Sequence, residues 1–148
     1  NIKSRRNFQK MRKITAIILL CITALTACDK AFINGDLDGM WKLQQVESEY
    51  DIHHPTDIYY SFQRHLTFIS KHYEEKLPLR YLGNLYYHGD TIIMSGFRKF
   101  LEEQIAASPE ILKQFYLYDD STKFIIDKLD DETLIMKDGE RRYTLRKW

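Results

Sequence analysis

An antiparallel up-and-down β-barrel, with one or two short helices inserted before its last three strands, is the fold that this 148-residue sequence predicts. Three observations point to it. Beyond residue 38 the chain is a succession of short runs rich in Tyr, Phe, Ile and Thr, residue types that fit a pleated, half-buried surface. Turn-forming pairs separate the runs; the clearest is Asp138-Gly139, because a two-residue hairpin turn of type I′ needs positive φ at both central positions. Only residues 96–120 break this pattern with helical spacing. The length suits one domain, and closing the strands into a ring leaves no edge exposed.

The elements follow in order. Met40–Glu49 is the first strand, opening directly after Gly39. Asp57–Gln63 and His65–Ser70 are close enough to join through a tight turn, and Tyr73–Leu77 reads as a short strand before Pro78. Leu79–Tyr87 is a strand rich in aromatics, turned by His88-Gly89-Asp90 into Thr91–Ser95. Phe97, Phe100, Leu101 and Ile105 then fall at i, i+3, i+4 and i+8, one face of a helix. Ser108-Pro109-Glu110 reads as a second helix start, with Ser as N-cap, Pro at the first helical position and an acid in the first turn. Ile111, Leu112 and Phe115 would be its apolar side, covering the core or forming a lid over a cavity. Thr122–Leu129, Thr133–Lys137 and Arg142–Lys147 complete the barrel.

The amino-terminal part has a different character. Residues 1–10 read as upstream sequence or a fragment end, and residues 11–27 as a secretory signal: Arg12 and Lys13 supply the positive region, and Ile14 to Ala27 is an uncharged, mostly apolar run of 14 residues. That run is too short to span ~30 Å of hydrocarbon. Leu25-Thr26-Ala27-Cys28 resembles the lipobox of bacterial lipoproteins. The resemblance implies cleavage before Cys28 and attachment of lipid to its thiol. Cys21 follows two bulky leucines and would leave with the signal. No cysteine remains in residues 29–148, so Cys28 has no disulfide partner there. Residues 28–37 would be a lipidated tether and 38–148 the folded domain, exported and anchored to the cell envelope, at the outer membrane.

Charge bears on partners. Residues 1–28 hold six of the 22 Lys/Arg and none of the 21 Asp/Glu, so the remainder carries 16 against 21, a net of −5. An acidic domain is unsuited to nucleic acid. Membrane affinity would come from acyl chains, each buried CH₂ contributing about 0.8 kcal/mol.

Gly39-Met40-Trp41 at the mouth of the first strand, with the ending "RRYTLRKW", resembles the lipocalin signature. More narrowly, it is similar to the short lipocalin-like, calycin-type lipoproteins common in Bacteroides-type bacteria. The resemblance implies that Trp41 closes the base of the barrel behind Gly39, with Arg142 or Arg146 packed across the indole. It also implies non-catalytic binding of a small apolar or amphipathic ligand. Tyr59, Tyr60, Tyr81, Tyr86 and Tyr87 are the candidate lining of a pocket or an interface, since Tyr combines an apolar ring with a polar tip. In the pairs Tyr59-Tyr60 and Tyr86-Tyr87, strand alternation sends one ring inward and one outward.

Other chemistry lacks a pattern. Asn34 to Gly39 has oxygen-bearing residues at positions 1, 3 and 5 and Gly at 6, like a calcium loop, but position 12 is Gln45 rather than a bidentate Glu. His53 and His54 on a strand would point to opposite faces. His65, His72 and His88 stand apart, and no metal-ligand spacing accompanies them. Glu74-Glu75 and Glu102-Glu103 read as solvent-facing pairs. The sequence holds no G-x-S-x-G elbow or phosphate loop. The expectation is therefore no enzyme, no metal and no cofactor. A second reading is a solid-core barrel that binds another envelope protein or a glycan through outer aromatics; an interior filled by side chains would favour it.

Overall fold

The computed structural model describes residues 33–148. The signal-like segment and Cys28 lie outside the described residues. Eight strands close into a ring. β1 (Gly39–Glu47) is followed around it by β3 (Ile58–Gln63), β4 (Leu66–Lys71), β5 (Leu79–His88), β6 (Thr91–Lys99), β8 (Ser121–Leu129), β9 (Thr133–Lys137) and β10 (Arg142–Lys147). β10 pairs back onto β1, from Trp41 opposite Lys147 to Glu47 opposite Arg142. Two short strands lie off the ring: β2 (Ile52–His53) on the end of β1, and β7 (Glu102–Ala106) folded back on β6. All pairings are antiparallel.

Alternation fills the interior. Leu43, Phe62, Ile69, Met94, Phe124 and Leu145 point inward and are at most 1% exposed. Burying each such side chain contributes about 1.5–3 kcal/mol. The ring is not a regular barrel, because bulges interrupt its ladders between Leu43 and Gln45, Leu82 and Asn84, and Ile126 and Lys128. Bulges of this kind bend strands enough for a sheet to close.

The bulge opposite β5 decides the local structure. Leu82 pairs with Arg98 and Asn84 with Ser95, so β6 carries one extra residue. Gly96 absorbs it at φ +63, the left-handed region. The shift changes the inward phase from Ile92 and Met94 to Phe97, which is 1% exposed. The Phe97 ring fits because β5 has glycine at position 83; a Cβ there would lie 2.7 Å from it.

This corrects the helix expected over Phe97 to Ile105. β6 runs on through Lys99 rather than stopping at Ser95, turns at Phe100-Leu101 and returns as β7. The helical spacing was coincidental: Phe97 points into the core, Phe100 lies against Phe68 on the outside, and Leu101 is 85% exposed. The strand expected over Tyr73–Leu77 is also absent; those residues form the loop from β4 to β5, and Leu77 is 91% exposed. Two acids and a lysine in this stretch offer little apolar surface to bury. The second helix does form, as α1 (Pro109–Lys113), with Ile111 N–H donating to the Ser108 hydroxyl at 3.4 Å.

Candidate functional site

The ring has two closed ends and an outer groove. At the first end, Gly35–Leu37 form one 3-10 turn. Asp38, 3% exposed, holds that turn: it accepts from Asn34 N at 2.9 Å and from Asn34 Nδ2 at 2.7 Å. Trp41 is fully buried, and its indole N–H donates to Leu37 O at 2.8 Å. The cation over its ring is Lys147, with Nζ 4.4 Å from the centroid, rather than Arg142 or Arg146. The reason is strand parity. Tyr143, Leu145 and Lys147 share the inward face of β10, while Arg142 and Arg146 are exposed on the other. Trp41 and Lys147 are direct cross-strand partners.

Lys147 Nζ also donates to Asp36 O at 2.7 Å and Asp38 O at 2.6 Å. The loop that resembles a calcium site therefore turns two of its carbonyls to an ammonium. Burial lowers the Lys147 pKa, and the nearby Asp36, Asp38 and Asp131 carboxylates oppose that shift. Gly39, at φ +124, leaves the passage that this side chain needs: a Cβ would stand 3.0 Å from Lys147 Cε.

The opposite end is plugged by the segment after Ser108. Leu112, Phe115 and Leu117 are at most 2% exposed. The segment stops at Tyr116, which takes φ +60, while Leu117 N donates to Leu112 O and Tyr116 N to Lys113 O, each at 3.0 Å. This is a Schellman-type stop in which Tyr stands where Gly is usual. Tyr60, wholly buried, donates its hydroxyl to Phe115 O. The Tyr143 hydroxyl lies 2.8 Å from both Asp138 Oδ2 and Tyr116 O. Burial raises the pKa of both tyrosines, and the Asp138 carboxylate adds to it. Tyr81 packs edge-on against Phe115 and Phe124 against Tyr143. Trp41, Tyr60, Phe115, Phe124 and Tyr143 belong to one cluster of buried side chains inside the ring.

The five candidate tyrosines do not converge on one site. Tyr60 and Tyr81 are core residues, and Tyr87 packs against the core from its edge. Tyr86 points outward and is 57% exposed. Tyr59 is on the outer face under His72 at 4.7 Å and Trp148 at 5.4 Å, with Lys42 Nζ over both the Tyr59 and Trp148 rings. Each adjacent pair does split inward and outward. Among the described residues, no three His, Cys, Asp or Glu side chains gather as metal ligands.

The outer groove was not foreseen. It is about 220 Å³ in volume and lies between β5 and the β6–β7 hairpin, with Leu66, Leu82, Phe100 and Leu101 as apolar walls and Arg98 among the polar ones. A second groove of about 300 Å³ flanks the same hairpin on the side of Leu77, Pro78 and Leu79, sharing Phe100 and Leu101. The side chains making these grooves come from outward strand positions, from the end of the β4–β5 loop and the start of β5 at Leu77, Pro78 and Leu79, and from the turn at Phe100-Leu101, which was expected to be helix.

The fold places the chain among known proteins. A family model described as a lipocalin-like domain matches residues 23–148. A lipocalin-like protein from Bacteroides uniformis is similar in structure, with a TM-score of 0.61 and 18% identity, covering 77% of this chain and 100% of that one. An uncharacterized protein from Bacteroides eggerthii also has a TM-score of 0.61, with 15% identity over 76% of this chain and 99% of its own. No curated protein matches the chain. With the family model spanning most of the sequence and an eight-stranded antiparallel ring beneath it, the chain belongs to the lipocalin-like domain family.

Proposed function

We propose that this chain is an exported, lipid-anchored cell-envelope protein, held at the outer membrane through Cys28, that binds a small apolar or amphipathic ligand without catalysis. The lipocalin-like ring carries the binding reading, since that fold is suited to holding one small ligand. Trp41 and Phe115 belong to one cluster of buried side chains inside the ring. Apolar grooves with room for such a ligand lie on the outer surface, beside β5 and the β6–β7 hairpin, and the ligand is placed there. Lipobox-like Leu25-Thr26-Ala27-Cys28 supports the anchor.

Native mass spectrometry of the protein extracted from membranes tests the binding reading. A co-purified small molecule of constant mass is expected, and a ligand-free protein that takes up no amphiphile would contradict it. Metabolic labelling with a palmitate analogue tests the anchor: wild type takes up label and Cys28→Ala does not. Equal labelling of both would move the lipid elsewhere.

The second reading, a module that binds an envelope protein or glycan, is favoured by the cluster of buried side chains inside the ring and by the outer aromatics. Tyr59, His72 and Trp148 form one cluster, and Tyr86 stands separately on the outer face. Its test is recovery of one identified envelope component that is lost with Tyr86→Ser or Trp148→Ser.

A further inference from the structure

We propose that the groove between β5 and the β6–β7 hairpin binds an anionic amphiphile with a single short acyl chain, its head group held by Arg98. This rests on the small-ligand reading above and gives that ligand a place and a chemical class. The walls are aliphatic and aromatic: Leu66, Leu82, Phe100 and Leu101. Gly96 adds no side chain to fill the space. On the far side of Phe100 and Leu101 the second groove continues the apolar surface to Leu77 and Leu79, giving a chain somewhere to extend.

The polar end is cationic. Arg98 has five N–H donors. One of them, on Nη1, donates to Glu103 O at 3.2 Å. Among the described residues no carboxylate pairs with Arg98, whereas its neighbour Lys99 is paired with Glu102 at 2.6 Å. Glu103 lines the rim through the same stretch. A carboxylate or phosphate head would take the open guanidinium donors in the bidentate manner that arginine favours. The hairpin tip supports the apolar half. Leu101 is held at φ +68, a conformation that a bulky residue rarely adopts, with its side chain 85% exposed.

A free amphiphile suits this surface better than a bilayer. Lys76, Arg80, Arg98 and Lys99 balance Glu74, Glu75, Glu102 and Glu103 around it, so it offers one local cation rather than an extended basic face for an anionic lipid surface.

The test titrates the full chain with dodecanoate, using dodecanol as the uncharged control, and reads leucine methyl shifts by NMR. Saturable binding of dodecanoate is expected, with shifts at Leu66, Leu82 and Leu101 and none at Leu43 or Leu145. Arg98→Gln should weaken dodecanoate about tenfold, the scale of one charge-assisted bond, and leave dodecanol unchanged. Leu101→Ser should weaken both. Arg98 is exposed on the outer face, so an unchanged Tm is expected for Arg98→Gln. Binding that shifts Leu43 or Leu145, or that ignores Arg98→Gln, overturns this site while small-ligand binding stands. Failure of both amphiphiles overturns the broader reading as well. Binding to phosphatidylglycerol vesicles without binding to monomeric dodecanoate overturns the site in favour of a membrane contact.

Discussion

At the end of the ring where β1 begins, one indole and one ammonium make the closure. Residues 34–41 are bonded among themselves, Asn34 to Asp38 and Trp41 to Leu37, and Lys147 closes on this local turn from the far end of the chain, its bonds to Asp36 and Asp38 spanning 111 and 109 residues. At the end where β10 begins, a segment from the middle of the chain is tied in by hydroxyls from afar. Tyr60 reaches Phe115 across 55 residues, and Tyr143 reaches Tyr116 across 27. The first end is held by charge and local turns. The second depends on two buried hydroxyls staying protonated.

The largest expected effect tests whether both ends matter equally to the core. Trp41→Ala and Phe115→Ala each remove a fully buried ring and should cost about 3–5 kcal/mol in urea unfolding. A cost below about 1 kcal/mol for either would mean that its end does not depend on the ring.

Alkaline pH should separate the two ends. Tyr60 and Tyr143 have pKa values raised above the ordinary 10.0 by burial. Above pH 10 the unfolded chain loses these protons while the folded chain keeps them. Their contribution is therefore fully present below pH 10 and is lost as pH rises beyond it. The slope approaches about 1.4 kcal/mol per pH unit for each group. The double variant Tyr60→Phe, Tyr143→Phe should start less stable and show a flatter alkaline limb. Equal slopes in the two proteins would remove the tyrosines from this role.

Lys147→Met keeps most of the stem and removes the ammonium. It leaves the Asp36 and Asp38 carbonyls without that donor and ends the contact with Trp41, a loss of about 1–2 kcal/mol in the same assay. Arg142→Gln and Arg146→Gln, on the solvent face, should stay within about 0.5 kcal/mol of wild type. Reversed magnitudes would return the closing role to an arginine.

The same contrast explains what could be read from the sequence. Gly39-x-Trp41 was readable because a Trp at a strand mouth behind a glycine has a local cause. Ser108-Pro109 and the last two strands were readable for similar reasons, and so was the hairpin at Asp138-Gly139. Its turn is not type I′, since only Gly139 takes positive φ and four residues, 138–141, link the strands, with Asp138 Oδ1 accepting from Glu140 N and Arg141 N. Lys147 could have been chosen over the arginines, since it shares parity with the inward Tyr143 and Leu145. The plug contacts and the groove had no such signal. The groove exists because Gly96 shifts the phase of β6 by one residue. That bulge also made Phe97, Phe100 and Leu101 look like a helix face. A glycine inside a strand run followed by a change of inward phase is the mark to look for.

The most direct test is a crystal structure of the protein with dodecanoate bound. The predicted result is density along Leu66, Leu82 and Leu101, with the carboxylate at Arg98 and both Trp41 and Phe115 unmoved. A chain lying between Trp41 and Phe115, with α1 displaced from the end of the ring, would contradict the account.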